Sequence, residues 1–207
     1  MYESLFRNAL FPAYETLVKR RGTASHVAEY EHNQWLGPRE LQALQLRKLN
    51  ELLAHCWAQV PFLQRHWREH GVAPGALGSI GELERYPVLT KALISAHYDE
   101  MIATDWRGRT LTKVTGGSTG DPFRFEYTMD VYARRTAVMW RGYGWGGAKL
   151  GTRTGYLWGT GLRKGGWGGF KDRMYHGAFN RRFFDAFSLT HHVECIALLE
   201  PAVHDAN

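Results

Sequence analysis

No stretch of this chain of 207 residues approaches the roughly 18–20 consecutive apolar residues needed to span a bilayer, so a helical membrane span is not expected. An export signal is missing as well. Residues 1–21 interleave Glu3, Arg7, Glu15 and Lys19 with their apolar residues, which breaks the uninterrupted core of a signal peptide. Cysteine is scarce: Cys56 and Cys195 stand far apart without metal-ligand spacing, so neither a disulfide framework nor a zinc site is expected. A reducing, cytoplasmic setting fits these absences. There is no internal repeat and no low-complexity tail. The excess of 26 Lys and Arg over 20 Asp and Glu, a net +6, is dispersed; it favours anionic ligands without forming a nucleic-acid-binding arm. What is present is a globular composition, 44% hydrophobic and 14% aromatic, enough to bury a core in one large domain or two small ones.

Between residues 37 and 60, Leu41, Leu44, Leu49, Leu52, Leu53, Cys56, Trp57 and Val60 recur at steps of three and four, with Arg39, Glu40, Gln42, Gln45, Lys48 and Glu51 between them. This predicts an amphipathic helix, with Pro38 in its first turn and Pro61 marking its end. Further helices are expected over 62–70, over 79–85 with Ser79 as cap, and over 90–101 with Thr90 as cap. Residues 1–108 therefore read as mainly helical.

After Gly108 the period changes. Residues 110–115 are rich in β-branched side chains and 123–127 alternate apolar with charged, predicting two strands around a Gly-rich loop. Thr128 is placed to cap a helix running to about Gly142, with Asp130 in its first turn. Twelve glycines among the 28 residues from 142 to 169 suggest long turns or close backbone approaches, interrupted by a strand over 153–158. A strand over 182–187 and a helix over 190–199 complete the pattern. The expected fold class is α/β: a helical N-terminal region leading into part of a mixed β-sheet with flanking helices.

The densest chemical signal is Thr115-Gly-Gly-Ser-Thr-Gly-Asp-Pro122. Glycines let the backbone turn sharply and present several N–H groups to one side, and Ser118 and Thr119 add hydroxyl donors, a combination suited to a polyphosphate. No Gly-Lys-Ser/Thr ends the loop and no Gly-x-Gly-x-x-Gly precedes a helix, so it is neither a Walker A loop nor a dinucleotide fingerprint. On local composition alone, a flexible hairpin turn accounts for it equally well.

This segment resembles the Ser/Thr/Gly-rich phosphate-binding motif of the adenylate-forming superfamily. It looks most like the phenylacetate–coenzyme A ligase branch, with its capsule-biosynthesis and coenzyme F390 synthetase relatives. Gln34-Trp35, residues 41–49, Val60-Pro-Phe62, Tyr86-Pro-Val-Leu-Thr-Lys91 and Gly155-Tyr-Leu-Trp-Gly159 are similar to segments of that branch in the same order. The resemblance implies ATP-dependent activation of a carboxylic acid as an acyl-adenylate, then attack by coenzyme A or another thiol to give a thioester, with a possible link to polysaccharide biosynthesis. It implies that Thr115, Gly116, Gly117, Ser118, Thr119 and Gly120 hold the ATP phosphates, with Mg²⁺ sharing the charge.

Two departures stand out. Many relatives carry lysine after the loop's proline, where this chain has Phe123 and then Arg124, a candidate phosphate ligand placed by alternation opposite Phe123 and Phe125. Where relatives often read Gly-Asp-Arg, this chain reads Gly151-Thr-Arg153. The family's adenine and ribose contacts, its acidic Mg²⁺ ligand and its C-terminal domain with the adenylation lysine find no counterpart. The expectation is thus a partial N-terminal large domain over 1–207, helical over 1–108 and carrying the phosphate-loop strands, a helix and the Gly-rich sheet region over 109–207. Such a chain is expected to be inactive alone. Related enzymes suggest a homodimer.

Other residues are read more plainly. Trp140, Trp145, Trp158 and Trp167 are expected in the core, although an aromatic substrate would also suit them. Lys91 is expected to be a solvated first-turn lysine. His191-His192 lack metal spacing, and His97 and Asp99 can pair as base and orienter but have no nucleophile beside them. Two other functions fit the chain. A noncatalytic truncated or split homologue would bind only an anion or a partner. A single-stranded nucleic-acid binder would use Arg163, Lys164, Lys171, Arg173, Arg181 and Arg182 among aromatics, but it lacks any supporting motif, so no nucleic-acid partner is expected.

Overall fold

A computed structural model describes residues 2–115, 122–158 and 166–185. The helix expected over 190–199, His191, His192 and Cys195 lie outside them, as do residues 116–121 of the Gly-rich loop.

The chain opens with a helical run in four pieces: α1 (Tyr2–Leu5), a π segment Phe6–Leu10, α2 (Phe11–Ala13) and a second π segment Tyr14–Val18. The Phe11 N–H bonds the Phe6 carbonyl and the Lys19 N–H the Tyr14 carbonyl, each five residues back. An ordinary α-helix would turn residues five apart by about 140° from one another. The π turn instead lets Phe6 and Phe11 both be buried.

Next come α3 (Thr23–Asn33), α4 (Pro38–Gln59) and α5 (Pro61–Glu69). Pro61 does two jobs. It forces Val60 into an extended conformation (φ −109°, ψ 101°), which ends α4, and it opens α5 as a first-turn residue. At the other end of α4, the Gly37 N–H donates to the Glu40 carboxylate at 2.9 Å. The buried stripe of α4 is narrower than its apolar sequence: Leu53 is buried and Leu46, Leu49, Cys56 and Trp57 partly so, whereas Leu41 and Leu52 face solvent.

The segment expected as a helix over 79–85 is a 3₁₀ turn, Ile80–Arg85, opened by the Ser79 N–H donating to Glu82 at 3.1 Å. The helix expected over 90–101 is likewise divided. Thr90 caps α6 (Lys91–Ala96) by accepting from the Leu93 N–H at 3.1 Å, but the backbone turns away at His97 and tightens into a 3₁₀ turn, Tyr98–Met101. The His97 ring stacks on Phe62 with centroids 4.4 Å apart, a tertiary contact that local propensity does not contain. A short 3₁₀ turn, Thr104–Trp106, leads to β1 (Leu111–Val114) and β2 (Arg124–Tyr127), followed by α7 (Met129–Trp145). The last described elements are β3 (Thr154–Trp158), α8 (Gly166–Ala178) and β4 (Arg181–Asp185).

The class is α/β, as expected. Its strands, among the described residues, form two separate two-stranded sheets: β1 and β2 antiparallel, β3 and β4 parallel. Parallel neighbours need a crossover connection, and α8 supplies it between β3 and β4. Neither α8 nor the end of α7 beyond Gly142 was expected from so glycine-rich a stretch. Each helical glycine costs about 1 kcal/mol relative to alanine, a penalty that packing overrides here.

Two compact units divide the described chain, one of residues 21–138 and one of residues 1–20 with those from 139 onward. The core of the first is Leu53, Val60, Phe62, Leu63, Trp67 and Leu77. Leu77 is pinned over α4 by a reciprocal pair with Asn50, its N–H donating to Oδ1 at 2.7 Å and its carbonyl accepting from Nδ2 at 3.0 Å.

The second unit gathers Phe6, Phe11 and Phe179 edge to face, with centroids of 4.9 Å for Phe6–Phe179 and 5.8 Å for Phe11–Phe179. Gly151 has φ +87°, and a Cβ there would come within 3.1 Å of the Glu3 backbone and 3.3 Å of Phe6, so this position requires glycine. Trp140 is buried in this unit as expected, but Trp145 is 70% exposed beneath the Arg141 guanidinium, contrary to the core expectation. It ends its helix among glycines, where few side chains remain to cover it.

Candidate functional site

The Gly-rich segment joins β1 to β2 as the connection of an antiparallel hairpin. Leu111 pairs with Tyr127, Thr112 with Glu126, Lys113 with Phe125 and Val114 with Arg124. One step nearer the loop, the Thr115 N–H donates to the Phe123 carbonyl at 2.9 Å and the Phe123 N–H donates to Thr115 Oγ1 at 3.1 Å. Thr115 thus closes the stem with both backbone and side chain. Gly116, Gly117, Ser118, Thr119 and Gly120 lie outside the described residues.

Alternation gives the hairpin two chemically distinct faces. Phe123, Phe125 and Tyr127 line one, with ring centroids 6.2 Å apart at each step. Arg124 and Glu126 line the other, as the alternating sequence implies. Glu126 Oε1 accepts from the Tyr98 hydroxyl at 2.8 Å and from Thr112 at 3.4 Å, while Oε2 accepts from Thr110. These hydroxyls, Thr110 first and then Tyr98, hold the Glu126 carboxyl below its ordinary range. Burial, then the carboxylate of Glu126, pushes the Tyr98 phenol up, so it stays a donor. The Arg124 guanidinium lies over the Tyr98 ring at 4.4 Å and stands 3.7 Å from Glu126. An open groove of about 540 Å³ runs along this side, lined by Asp99, Ile102, Arg107, Gly108, Thr110, Thr112 and Glu126.

Tyr98, Thr110, Thr112 and Glu126 are absent from the sequence-derived site. Glu126 could have been found from its two-residue spacing to Arg124. Tyr98, 28 residues away, carries no local signal. His97 does not act with Asp99: its Nδ1 lies 3.5 Å from Glu100, which also pairs with Arg65 at 2.6 Å. Lys91 is exposed, as expected. Burial raises the Cys56 thiol, which makes it a poor nucleophile.

After β2, a charged cluster fixes the start of α7. Thr128 Oγ1 accepts from the Val131 N–H at 3.3 Å, and Asp130 accepts from Arg134 Nε at 2.7 Å. Asp130 also meets His26 at 2.8 Å, and Glu29 meets Lys48 at 2.6 Å, tying α3 and α4 to α7. Arg134 lowers the Asp130 carboxyl, and Lys48 lowers that of Glu29. A carboxyl held below its unfolded value stabilises the fold above that value and loses this contribution as pH falls through its folded value. The unfolding midpoint is therefore expected to drop on acidification below about pH 5, where ordinary carboxyls begin to protonate. Asp130→Asn should flatten the drop in a pH series of thermal melts; an unchanged slope would remove this cluster from the acid response.

No protein-family model matches the chain. Among curated proteins, it is 32% identical over 133 residues to a phenylacetate-coenzyme A ligase of Thermus thermophilus. The similarity is to phenylacetate-coenzyme A ligases. Those of Aromatoleum evansii and Escherichia coli match at 28% and 27% over 130 residues. Each match covers 62–63% of this chain but 30% of the relative, so the matched part spans under a third of the curated relatives' length. These matches support the family resemblance read from the loop and its neighbouring segments. Among the described residues, no helix is long and apolar enough to cross a membrane.

Proposed function

We propose that this chain belongs to an ATP-dependent acid–thiol ligase and contributes its phosphate-binding hairpin. The similarity to three phenylacetate-coenzyme A ligases carries the reading. The Thr115–Phe123 closure of the hairpin supports it, because a loop that must present several N–H groups to one anion needs a fixed stem.

On this reading a carboxylate oxygen attacks the α-phosphorus of ATP, and the bond to the β-phosphate oxygen breaks with release of pyrophosphate. A thiol then attacks the acyl carbon; a C–S bond forms, AMP leaves and the thiol proton is released. The chain's own task falls in the first step. N–H and hydroxyl donors of residues 115–120 meet the charge that grows on the leaving pyrophosphate, and donors arranged in advance lower the barrier more than mobile ones do. Mg²⁺ arriving with ATP would share the charge of the phosphates.

The substrate class is a small carboxylic acid, with arylacetic acids first to be tried, and the acceptor is coenzyme A or another thiol. Residues 1–207 correspond to the N-terminal part of the large domain, in a cytoplasmic enzyme of homodimeric type. Incubating the complete natural polypeptide with ATP, Mg²⁺, coenzyme A and arylacetic acids should give an acyl-coenzyme A product by mass spectrometry, with one AMP per thioester. ATP binding without AMP formation for any acid would favour the noncatalytic homologue instead.

A further inference from the structure

We infer that Tyr98 is a positioning residue that holds Arg124 as a preset cation for the phosphates of a nucleoside triphosphate at the hairpin stem. This rests on the nucleotide reading above and adds to it the groups that set nucleotide affinity.

A guanidinium that merely completes a surface ion pair sits at hydrogen-bond distance from its carboxylate, often with two parallel bonds. Arg124 does not. Its nearest approach to Glu126 is 3.7 Å, and the Glu126 oxygens are already taken by hydroxyl hydrogens from Tyr98, Thr110 and Thr112. Its guanidinium carbon instead lies over the Tyr98 ring, 4.4 Å from the centroid.

Charge and exposure divide accordingly. The Glu126 side chain is 15% exposed and held by three hydroxyls, while that of Arg124 is 56% exposed. Stacking steers a guanidinium while leaving donor capacity for a ligand, which a bidentate carboxylate would consume.

Arg124 pairs with Val114, the last strand pair before the Thr115–Phe123 closure, and lies two residues after Pro122. A side chain ordered before binding loses less rotamer freedom when the anion arrives. Tyr98 Oη and the Arg124–Tyr98 stack tie this hairpin face to the Tyr98–Met101 turn, so the cation's place is fixed by tertiary structure rather than by the strand alone.

Calorimetric titration of the complete natural protein with MgATP tests the assignment. Arg124→Ala should weaken binding about tenfold or more, the scale of a charge-assisted hydrogen bond. Tyr98→Leu should weaken it about threefold, the scale of a cation–π contact, and Tyr98→Phe, which keeps the ring, should restore it to within about twofold. In the Arg124→Ala background, Tyr98→Leu should have no further effect. Equal losses from Tyr98→Leu in both backgrounds would mean that Tyr98 acts by general structure, and unchanged binding in Arg124→Ala would overturn the assignment. The joint Ser118→Ala, Thr119→Ala variant separates this from the parent reading. If it weakens binding and Arg124→Ala does not, only the Arg124 assignment falls. If Arg124→Ala weakens binding and the loop variant does not, the cation site stands and the loop leaves the account. Failure of the unaltered protein to bind MgATP overturns both.

Discussion

Replacing Ser118 and Thr119 together by alanine is expected to slow carboxylate-dependent ATP–pyrophosphate exchange by about 10²–10³-fold, the range lost when preorganised donors to a developing anion are removed. The size follows from where charge moves. Breaking the bond between the α- and β-phosphates places new negative charge on pyrophosphate, and water released from the site cannot solvate it. Hydroxyl donors that strengthen as this charge grows act on the transition state more than on bound ATP, so kcat should fall further than ATP affinity. Glycines 116, 117 and 120 leave the backbone N–H groups in place in the variant, so residual exchange is expected rather than complete loss. Exchange at the unaltered rate would remove the loop from the mechanism.

The second large effect concerns stability. Trp67 is 5% exposed, stacked on Trp57 with centroids 6.0 Å apart and met edge-on by Tyr86 at 4.9 Å. It joins α5 to α4 and to the segment that leads into α6. Trp67→Ala removes these contacts and leaves a large cavity, an expected loss of about 3–5 kcal/mol. Trp35, 82% exposed, is the control: Trp35→Ala should change stability by less than about 0.5 kcal/mol. Urea unfolding followed by circular dichroism measures both. Similar midpoints for the two variants would show that the core of residues 21–138 is not organised around Trp67.

Residues with strong local signals were legible in the sequence. α4 followed from three- and four-residue spacing between Pro38 and Pro61, and the hairpin from β-branched residues before the glycines and alternation after them. The caps at Thr90 and Thr128 were read correctly because a hydroxyl bonding three residues ahead is a local event. Features set by distant contacts were not. The π segments answer to Phe6 and Phe11 meeting Phe179, and the five-residue spacing they create matches neither a helical nor a strand period. α3 has a single buried residue, Thr23, so it offered little amphipathic pattern.

The candidate site divides along the same line. Its loop was recognisable from composition and resemblance, and Arg124 from the lysine that similar enzymes carry after the loop's proline. Tyr98 and the hydroxyls of Thr110 and Thr112 become part of it only when the chain folds the Tyr98–Met101 turn against the hairpin. A polar network spread over three segments leaves no spacing rule to read. Stem closure by Thr115 is intermediate: its place beside the glycines was evident, whereas its bonds to Phe123 required the strand register.

Exchange of labelled pyrophosphate into ATP by the complete natural polypeptide would decide whether this chain helps form an acyl-adenylate. Exchange is expected to require a carboxylic acid, to proceed without any thiol, and to collapse in the Ser118→Ala, Thr119→Ala variant. A folded, MgATP-binding protein that exchanges no pyrophosphate with any of a broad panel of aryl and alkyl acids would contradict it.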